Sequence, residues 1–183
     1  EEIEEFLSDG TKMVFVTAGM GGGTGTGAAP IIAKTARELG ILTVGIVTLP
    51  FRFEGNTRIR YAEEGLEELK DNVDALIIVS NNKLRDIFGN LPVSDAFGHA
   101  DNILTTAAKG IAEIITVPGY VNVDFEDVNT VMRQSGVAVM GTAVGEGDDR
   151  AKIAVRQALD CPLLEENDIR GAKDILLNIA SGN

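Results

Sequence analysis

The chain has 183 residues and a formal net charge of −12. So acidic a surface repels phosphate backbones, which argues against sequence-independent binding of nucleic acid. The single cysteine, Cys161, excludes a disulfide within the chain and fits a reducing compartment. No apolar run approaches the roughly 20 residues that a membrane-spanning helix needs. We therefore expect a cytoplasmic protein with no direct membrane insertion.

Strand and helix patterns alternate through the first half of the chain, which is typical of α/β architecture. Continuous apolar runs at 13–17, 41–48 and 75–79 suit parallel strands that are covered on both faces. Helices are predicted between these runs, over 28–39 and 57–69. The alternation predicts a Rossmann-like parallel sheet.

The second half begins with a long helical pattern. From 95 to 115, apolar residues recur at the i, i+3, i+4 spacing of a helix that is buried over a wide face. Beyond it the patterns predict a helix over 124–134, a strand over 137–144, a helix over 148–159 and a strand over 174–180. Since two strands alone are marginally stable, we expect an incomplete α+β second domain after a central helix.

The densest motif is the run GMGGGTGTG at 19–27, between a predicted strand and a predicted helix. Glycines let the backbone approach a ligand closely, and the N–H groups at a helix N-terminus face an anion. Thr24 and Thr26 can add hydroxyl donors. The run predicts a phosphate-binding loop, and a tight turn without a ligand is the alternative.

The type of phosphate ligand is harder to read from the loop. The loop lacks the lysine of a P-loop. Gly23, Gly25 and Ala28 match a dinucleotide fingerprint, but the second predicted strand ends in Val-Thr-Leu-Pro at 47–50, without the acid that would bind the ribose. A dinucleotide-binding oxidoreductase domain is therefore the weaker alternative.

Residues 21–27 read GGGTGTG, which resembles the characteristic loop of the tubulin and FtsZ superfamily. Other segments resemble that family in the same order: 53–58 (FEGNTR), 80–84 (SNNKL), 95–97 (DAF) with 100–102 (ADN), and 118–128 (PGYVNVDFEDV). The resemblance covers nearly the whole chain. It implies a GTP-binding and GTP-hydrolysing protein that forms filaments in bacterial cell division.

The resemblance also implies a site for GTP or GDP. The phosphates would be cradled by Gly19, Gly21, Gly22, Gly23, Thr24, Gly25 and Thr26. Glu54 would accept hydrogen bonds from the ribose, and Arg58 would lie near ribose or phosphate. Phe97 would stack on guanine while Asn81 and Asp101 read its edge, because a carboxylate accepts from two donors that adenine cannot both supply. Without the resemblance, Glu54, Arg58 and Asp101 would be interpreted as solvated helix residues, Asn81 as a turn residue and Phe97 as a core aromatic.

Asn122, Asp124 and Asp127 form a second constellation. By themselves they are typical of a helix N-cap with acids in the first turn. The resemblance instead implies that this loop enters the nucleotide site of the next subunit, polarises the attacking water and helps to place Mg²⁺. No residue is assigned as a direct metal ligand.

The resemblance implies an organisation and partners as well. Residues 1–94 would be a partial GTP-binding domain, 95–117 the central helix, and 118–183 the start of a C-terminal GTPase-activating domain. The chain would be a piece truncated at both ends, assembling head to tail with itself at mid-cell. Other division-ring proteins would bind through parts that this piece lacks. The alternative is a non-catalytic fragment that binds nucleotide or caps a filament.

Overall fold

The computed structural model describes residues 2–89, 92–117, 123–159 and 171–180. The strands are β1 (Met13–Gly19), β2 (Leu42–Leu49), β3 (Ala75–Ser80) and β4 (Gly136–Ala138). The helices are α1 (Glu2–Leu7), α2 (Gly23–Glu38), α3 (Asn56–Asn72), α4 (Asn81–Phe88), α5 (Val93–Thr116), α6 (Phe125–Met132) and α7 (Arg150–Leu159). A short 3-10 turn, Arg52–Glu54, precedes α3.

The four strands form one parallel sheet in the order β1-β2-β3-β4. All but the last residue of β2 is buried, which explains why its sequence is continuously apolar rather than alternating. The predicted α/β class with a parallel sheet is confirmed. All strands point the same way, so the sheet has an amino edge, where the strands begin, and a carboxyl edge, where they end.

Helices cover both faces of the sheet. On one face, α2 and α3 pack on side chains that include Val16, Val47 and Leu76. On the other face, α5 and α6 pack on side chains that include Leu42, Val44 and Ile46. Neighbouring residues of β2 thus point to opposite faces of the sheet and pack in different hydrophobic clusters, as the two-residue period of a strand requires. The result is a three-layer arrangement that holds both edges of the sheet in fixed positions.

Two elements near the carboxyl edge differ from the sequence prediction. Helix α2 begins at Gly23, five residues earlier than predicted, so the glycine run itself forms the first turn. Glycine has a low intrinsic helix propensity, and the tertiary contacts of the loop override it. Helix α4 follows β3 without a loop and was not predicted, because its eight residues are too few to show a clear helical period.

The second half of the chain also departs from the prediction in part. The long helix over 95–115 is confirmed as α5, Val93–Thr116. The strand expected over 137–144 is limited to Gly136–Ala138, which pairs with β3 of the main sheet. The strand expected over 174–180 is absent, since residues 171–180 contain no strand. Their alternating apolar side chains stay exposed, and a strand requires a neighbour to supply its hydrogen bonds. No helix of the described ranges is long and apolar enough to cross a membrane.

The packing of α3 on the sheet gives a direct test of the fold. Leu69 is fully buried and lies over Gly45 of β2, where an added Cβ would be 3.6 Å from Leu69 Cδ2. Leu69→Ala should lower the free energy of unfolding by about 2–5 kcal/mol, because it leaves a cavity between helix and sheet. Leu39→Ala, the same change at a half-exposed position, should alter it by less than about 0.5 kcal/mol. Urea denaturation measures both, and equal effects would contradict this packing.

Candidate functional site

The glycine loop is fixed by hydrogen bonds at the carboxyl edge of the sheet. The N–H of Met20 donates to the carbonyl of Thr48 at 2.9 Å, which ties the loop to the end of β2. Gly21 has a φ of 93°, a left-handed conformation that favours glycine, and its N–H donates to Thr26 Oγ1 at 2.8 Å. Thr26, expected as a phosphate ligand, therefore also braces the loop against the first turns of α2.

The glycines of the loop fall into two kinds. A Cβ at Gly21 would lie 2.7 Å from the carbonyl oxygen of Arg58, and a Cβ at Gly25 would overlap the carbonyl oxygen of Gly19. At these positions the chain itself occupies the space. A Cβ at Gly23 or Gly27 would meet no atom within 4 Å. The surface beside the start of α2 is therefore open, while the loop behind it is tightly packed.

The beginning of α2 is suited to bind an anion. Gly22 is its N-cap and provides no side-chain hydrogen bond to the first turn. The first N–H groups of a helix have no partner within the helix, and the helix dipole places partial positive charge there. The helix has 16 residues, without an acidic residue in its first turn. A phosphate group in this open space would satisfy those N–H groups.

Arg58 adds a positive charge beside the loop. Its Nη1 pairs with Glu54 Oε2 at 2.6 Å, and its Nη2 is 4.0 Å from the place that a Cβ of Gly22 would take. The other oxygen of Glu54 accepts from the N–H of Phe51 at 2.8 Å. Each oxygen of Glu54 thus already accepts one bond, so a ribose hydroxyl would have to use a remaining lone pair. The ion pair therefore places Glu54 and Arg58 together beside the glycine loop.

Three aromatic rings form a cluster at the same edge. Phe51, which is fully buried, stacks on Phe53 with centroids 4.8 Å apart and meets the Phe97 ring edge-on at 5.2 Å. Phe97 and Asp101 are four residues apart, so they share one face of α5. The cluster therefore holds that face near the end of β2. The sequence analysis missed Phe51 and included Phe53 only as the start of the FEGNTR segment, although aromatics two residues apart directly after a buried strand were a usable signal.

Asn81 supplies a buried acceptor without a partner. It follows β3 directly and is 3% exposed, and its Oδ1 accepts no hydrogen bond in the described part of the chain. An unsatisfied buried polar atom destabilises a fold by about 1–3 kcal/mol. A ligand with N–H or O–H donors, such as a purine base or a ribose, would satisfy it. The next residue, Asn82, accepts from the N–H of Arg52 at 3.0 Å and so joins α4 to the aromatic segment.

The second constellation forms a reciprocal cap at the start of α6. Asp124 Oδ1 accepts from the N–H of Asp127 at 3.0 Å, and Asp127 Oδ2 accepts from the N–H of Asp124 at 3.2 Å. Both residues are exposed. The helix-capping interpretation of these two acids is therefore confirmed. Asn122, the third member, lies outside the described residues.

Helix α6 lies at the amino edge of the sheet. Lys12 precedes β1, and its Nζ is 5.7 Å from the centroid of the Phe125 ring at the start of α6. At the other end of α6, Arg133 donates to the carbonyl of Gly40, just before β2. The glycine loop follows β1 at the opposite edge, and seven residues of strand separate the edges by about 20 Å. Asp124 and Asp127 therefore cannot reach the loop of their own chain.

The next feature of the site is its suitability for a metal ion. Within the described ranges, no group of three or more His, Cys, Asp or Glu residues could hold a metal ion. Magnesium usually keeps several waters and binds through substrate phosphates with only one or two carboxylates. The residues present are compatible with a magnesium ion that arrives with a nucleotide.

Comparison with known proteins agrees with this geometry. Residues 1–89 match the GTPase domain of the Tubulin/FtsZ family, and residues 136–183 match the C-terminal domain of the FtsZ family. The chain is 55% identical over 182 residues to the cell division protein FtsZ of Porphyromonas gingivalis, covering 99% of this chain and 40% of that protein. It is 54% identical over 183 residues to the FtsZ of Coxiella burnetii, covering 100% of this chain and 47% of that protein.

A solved structure shows the same relationship in three dimensions. An empty FtsZ dimer from M. jannaschii superposes with a TM-score of 0.84 and 48% sequence identity, covering 90% of this chain and 48% of that one. The present chain thus spans about half the length of the relatives that it matches. The matched domains, the sequence identity and the shared fold lead to one assignment: the chain belongs to the tubulin/FtsZ family.

Proposed function

We propose that this chain is part of a cell-division GTPase that binds GTP at the carboxyl edge of its sheet and assembles head to tail. The observation that carries the proposal is the placement of the glycine loop and the acids of α6 at opposite edges of one parallel sheet. A head-to-tail contact would bring the amino edge of one subunit against the carboxyl edge of the next. Contacts of this kind repeat without closing and give filaments.

GTP would be held by three groups of residues at the carboxyl edge. The phosphates would lie against the start of α2, with Arg58 beside them. The orphaned oxygen of Asn81 and the carboxylate of Asp101 would accept from the donors of guanine or ribose, and Phe97 would stack on the base. Adenine lacks the paired donors that a carboxylate would recognise, so the site would select GTP over ATP.

Hydrolysis would need two subunits. Asn122, Asp124 and Asp127 of one subunit would lie over the phosphates of the next, where their polar groups orient and polarise the attacking water. Magnesium bound with the nucleotide would offset charge on the phosphate oxygens. Catalysis would then consist mainly of positioning and charge stabilisation.

The broader assignments are proposals of the same kind. We propose that 1–94 is a partial GTP-binding domain, 95–117 a central helix and 118–183 the start of a GTPase-activating domain, as the two domain matches support. The protein would work in the cytoplasm at mid-cell, with other division proteins binding through segments outside this chain. The second candidate is a non-catalytic fragment that binds nucleotide or caps a filament. It is favoured by the reciprocal cap of α6, which accounts for Asp124 and Asp127 without a role in hydrolysis.

The glycine loop gives the first test of nucleotide binding. Gly25→Ala should lower the affinity for GTP by at least about tenfold, or about 1.4 kcal/mol, because its Cβ would overlap the carbonyl oxygen of Gly19 and displace the loop. Gly98→Ala is the matched control, since its Cβ on α5 would meet no atom within 4 Å and no contact with the nucleotide is assigned to this position, so affinity should be preserved. Titration with a fluorescent GTP analogue measures both. Equal affinities in the two variants would contradict the proposed phosphate site.

Asp101 gives a test of base selection. The wild-type protein should prefer GTP to inosine triphosphate, which lacks the exocyclic amine, and Asp101→Ala should remove most of that preference. Asp95→Ala, which removes an exposed carboxylate from the first turn of the same helix, should retain it. Competition binding with both nucleotides gives the two ratios. An unchanged ratio in the Asp101 variant would rule out its base-reading role.

Asp127 tests whether the acids act in hydrolysis. Asp127→Asn retains an oxygen that can accept the N–H of Asp124, so the cap of α6 should survive, while the charge is lost. GTP affinity should stay within about twofold, and turnover should fall by roughly 10²-fold, as when a transition-state group is removed. The assay compares GTP binding with hydrolysis per subunit over a range of concentrations of the full-length protein. Turnover that is absent from the wild-type protein at every concentration would favour the non-catalytic candidate, and turnover that is present but does not rise with concentration would contradict a site shared between subunits.

A further inference from the structure

Arg133 joins three elements at the amino edge of the sheet. It follows the last residue of α6, and its Nε donates to Asn129 Oδ1 within that helix at 3.1 Å. Its Nη2 donates to the carbonyl of Gly40 before β2 at 3.2 Å, and its Nη1 donates to Asp74 Oδ2 before β3 at 3.4 Å. One side chain thus ties the end of α6 to the sheet.

Asp74 is the buried partner in this arrangement. Its side chain is 1% exposed and also accepts from the N–H of Thr43 at 3.0 Å and the N–H of Gln134 at 3.4 Å. Its carbonyl accepts from the N–H of Gly136 at 3.0 Å, where β4 begins. A buried carboxylate needs compensation by hydrogen bonds and positive charge, and Arg133 supplies the charge. Asp74 and Arg133 therefore hold the segment that follows α6.

The orientation of α6 decides where its acids point. The helix has eight residues and is about 12 Å long, with Asp124 and Asp127 at one end and Arg133 at the other. A tilt of about 10° about the Arg133 end would move Asp124 by about 2 Å over that length. A misplacement of about 1 Å can slow an enzymatic reaction by roughly 10²-fold. Packing of the buried Val128 and Met132 locates the helix, while the three bonds of Arg133 constrain its direction.

We propose that Arg133 is a positioning residue for GTP hydrolysis: by fixing the direction of α6, it sets Asp124 and Asp127 for the nucleotide of the neighbouring subunit. This inference rests on the proposed function, since it takes the acids to act in a neighbour's site. Arg133 itself would touch neither nucleotide nor water. Its influence would be confined to the subunit that supplies the acids and absent from the subunit that supplies the nucleotide.

This one-sided influence can be measured in mixtures of full-length subunits. A Gly25→Ala subunit supplies the acids but binds GTP poorly, and an Asp127→Asn subunit supplies the nucleotide site but lacks the acid. At GTP concentrations too low to occupy the weakened Gly25→Ala site, neither should turn over GTP rapidly alone, whereas an equimolar mixture should be active at mixed junctions. Arg133→Gln is then added to one partner at a time, and both kcat and KM for GTP are measured.

We expect Arg133→Gln in the Gly25→Ala partner to lower kcat at least about tenfold with KM unchanged. The same change in the Asp127→Asn partner should leave kcat within about twofold. Arg133→Lys in the first partner should restore part of the loss, because a lysine keeps the charge that faces Asp74. Equal losses in both arms would show a merely structural role, and no loss in either arm would equally overturn the proposal.

Two controls keep the outcomes separate. If the mixture with Arg133 intact is inactive while both subunits assemble, the acids do not act between subunits, and the proposed function fails together with this inference. Thermal melting shows whether Arg133→Gln folds. Should it not fold, Asn129→Ala takes its place, since it removes only the acceptor of Arg133 Nε. The expected loss is smaller but must again be confined to the acid-supplying partner.

Discussion

The parallel pairing of β1, β2 and β3 gives the molecule two chemically different edges. Each strand ends beside the ends of its neighbours, so Gly19, Phe51 and Asn81 lie at the same edge although each is about 30 residues from the next in sequence. Each strand also begins beside the beginnings of its neighbours, which brings Gly40 and Asp74 to one place. Antiparallel strands would have mixed these groups. The distance between the proposed nucleotide-binding groups and the acids of α6 therefore follows from the direction of the strands.

At the carboxyl edge, close packing turns a glycine run into a defined surface. Helix α3 approaches the loop at two points: the carbonyl of Arg58 faces Gly21, and Gly65 lies where a Cβ would overlap Thr26 Cγ2. The loop is thus pressed between β1 and α3 and is held by the Gly21–Thr26 bond. A rigid set of N–H groups can meet phosphate oxygens with little loss of entropy on binding. The glycines serve close packing here more than flexibility.

The sequence predicted those parts of the fold that rest on local apolar patterns. The three main strands and α5 lie within one or two residues of their expected positions at most ends, because long buried elements have a strong period. The start of α2 and the pairing of β4 were missed because they depend on contacts distant in sequence, and α4 was missed because it is too short to show a helical period. Motif residues such as Asn81 and Phe97 could be named from the sequence. The unpartnered oxygen of Asn81 and the stacking of Phe51 on Phe53 could not be named, because both depend on how the side chains pack in three dimensions.

Asp124 and Asp127 show why local reasoning could not separate stability from function. Their carboxylates cap α6, as their positions before and within its first turn predict, and each reciprocal bond occupies only one carboxylate oxygen. Capping holds the two side chains in fixed rotamers on an exposed surface, which is also what a group acting on a neighbouring subunit would require. The two interpretations therefore do not exclude each other. The observation that points beyond capping is the position of α6 at the amino edge, where Arg133 and Lys12 anchor it. That position depends on contacts between residues that lie 59 and 113 positions apart in sequence, which the motif itself does not reveal.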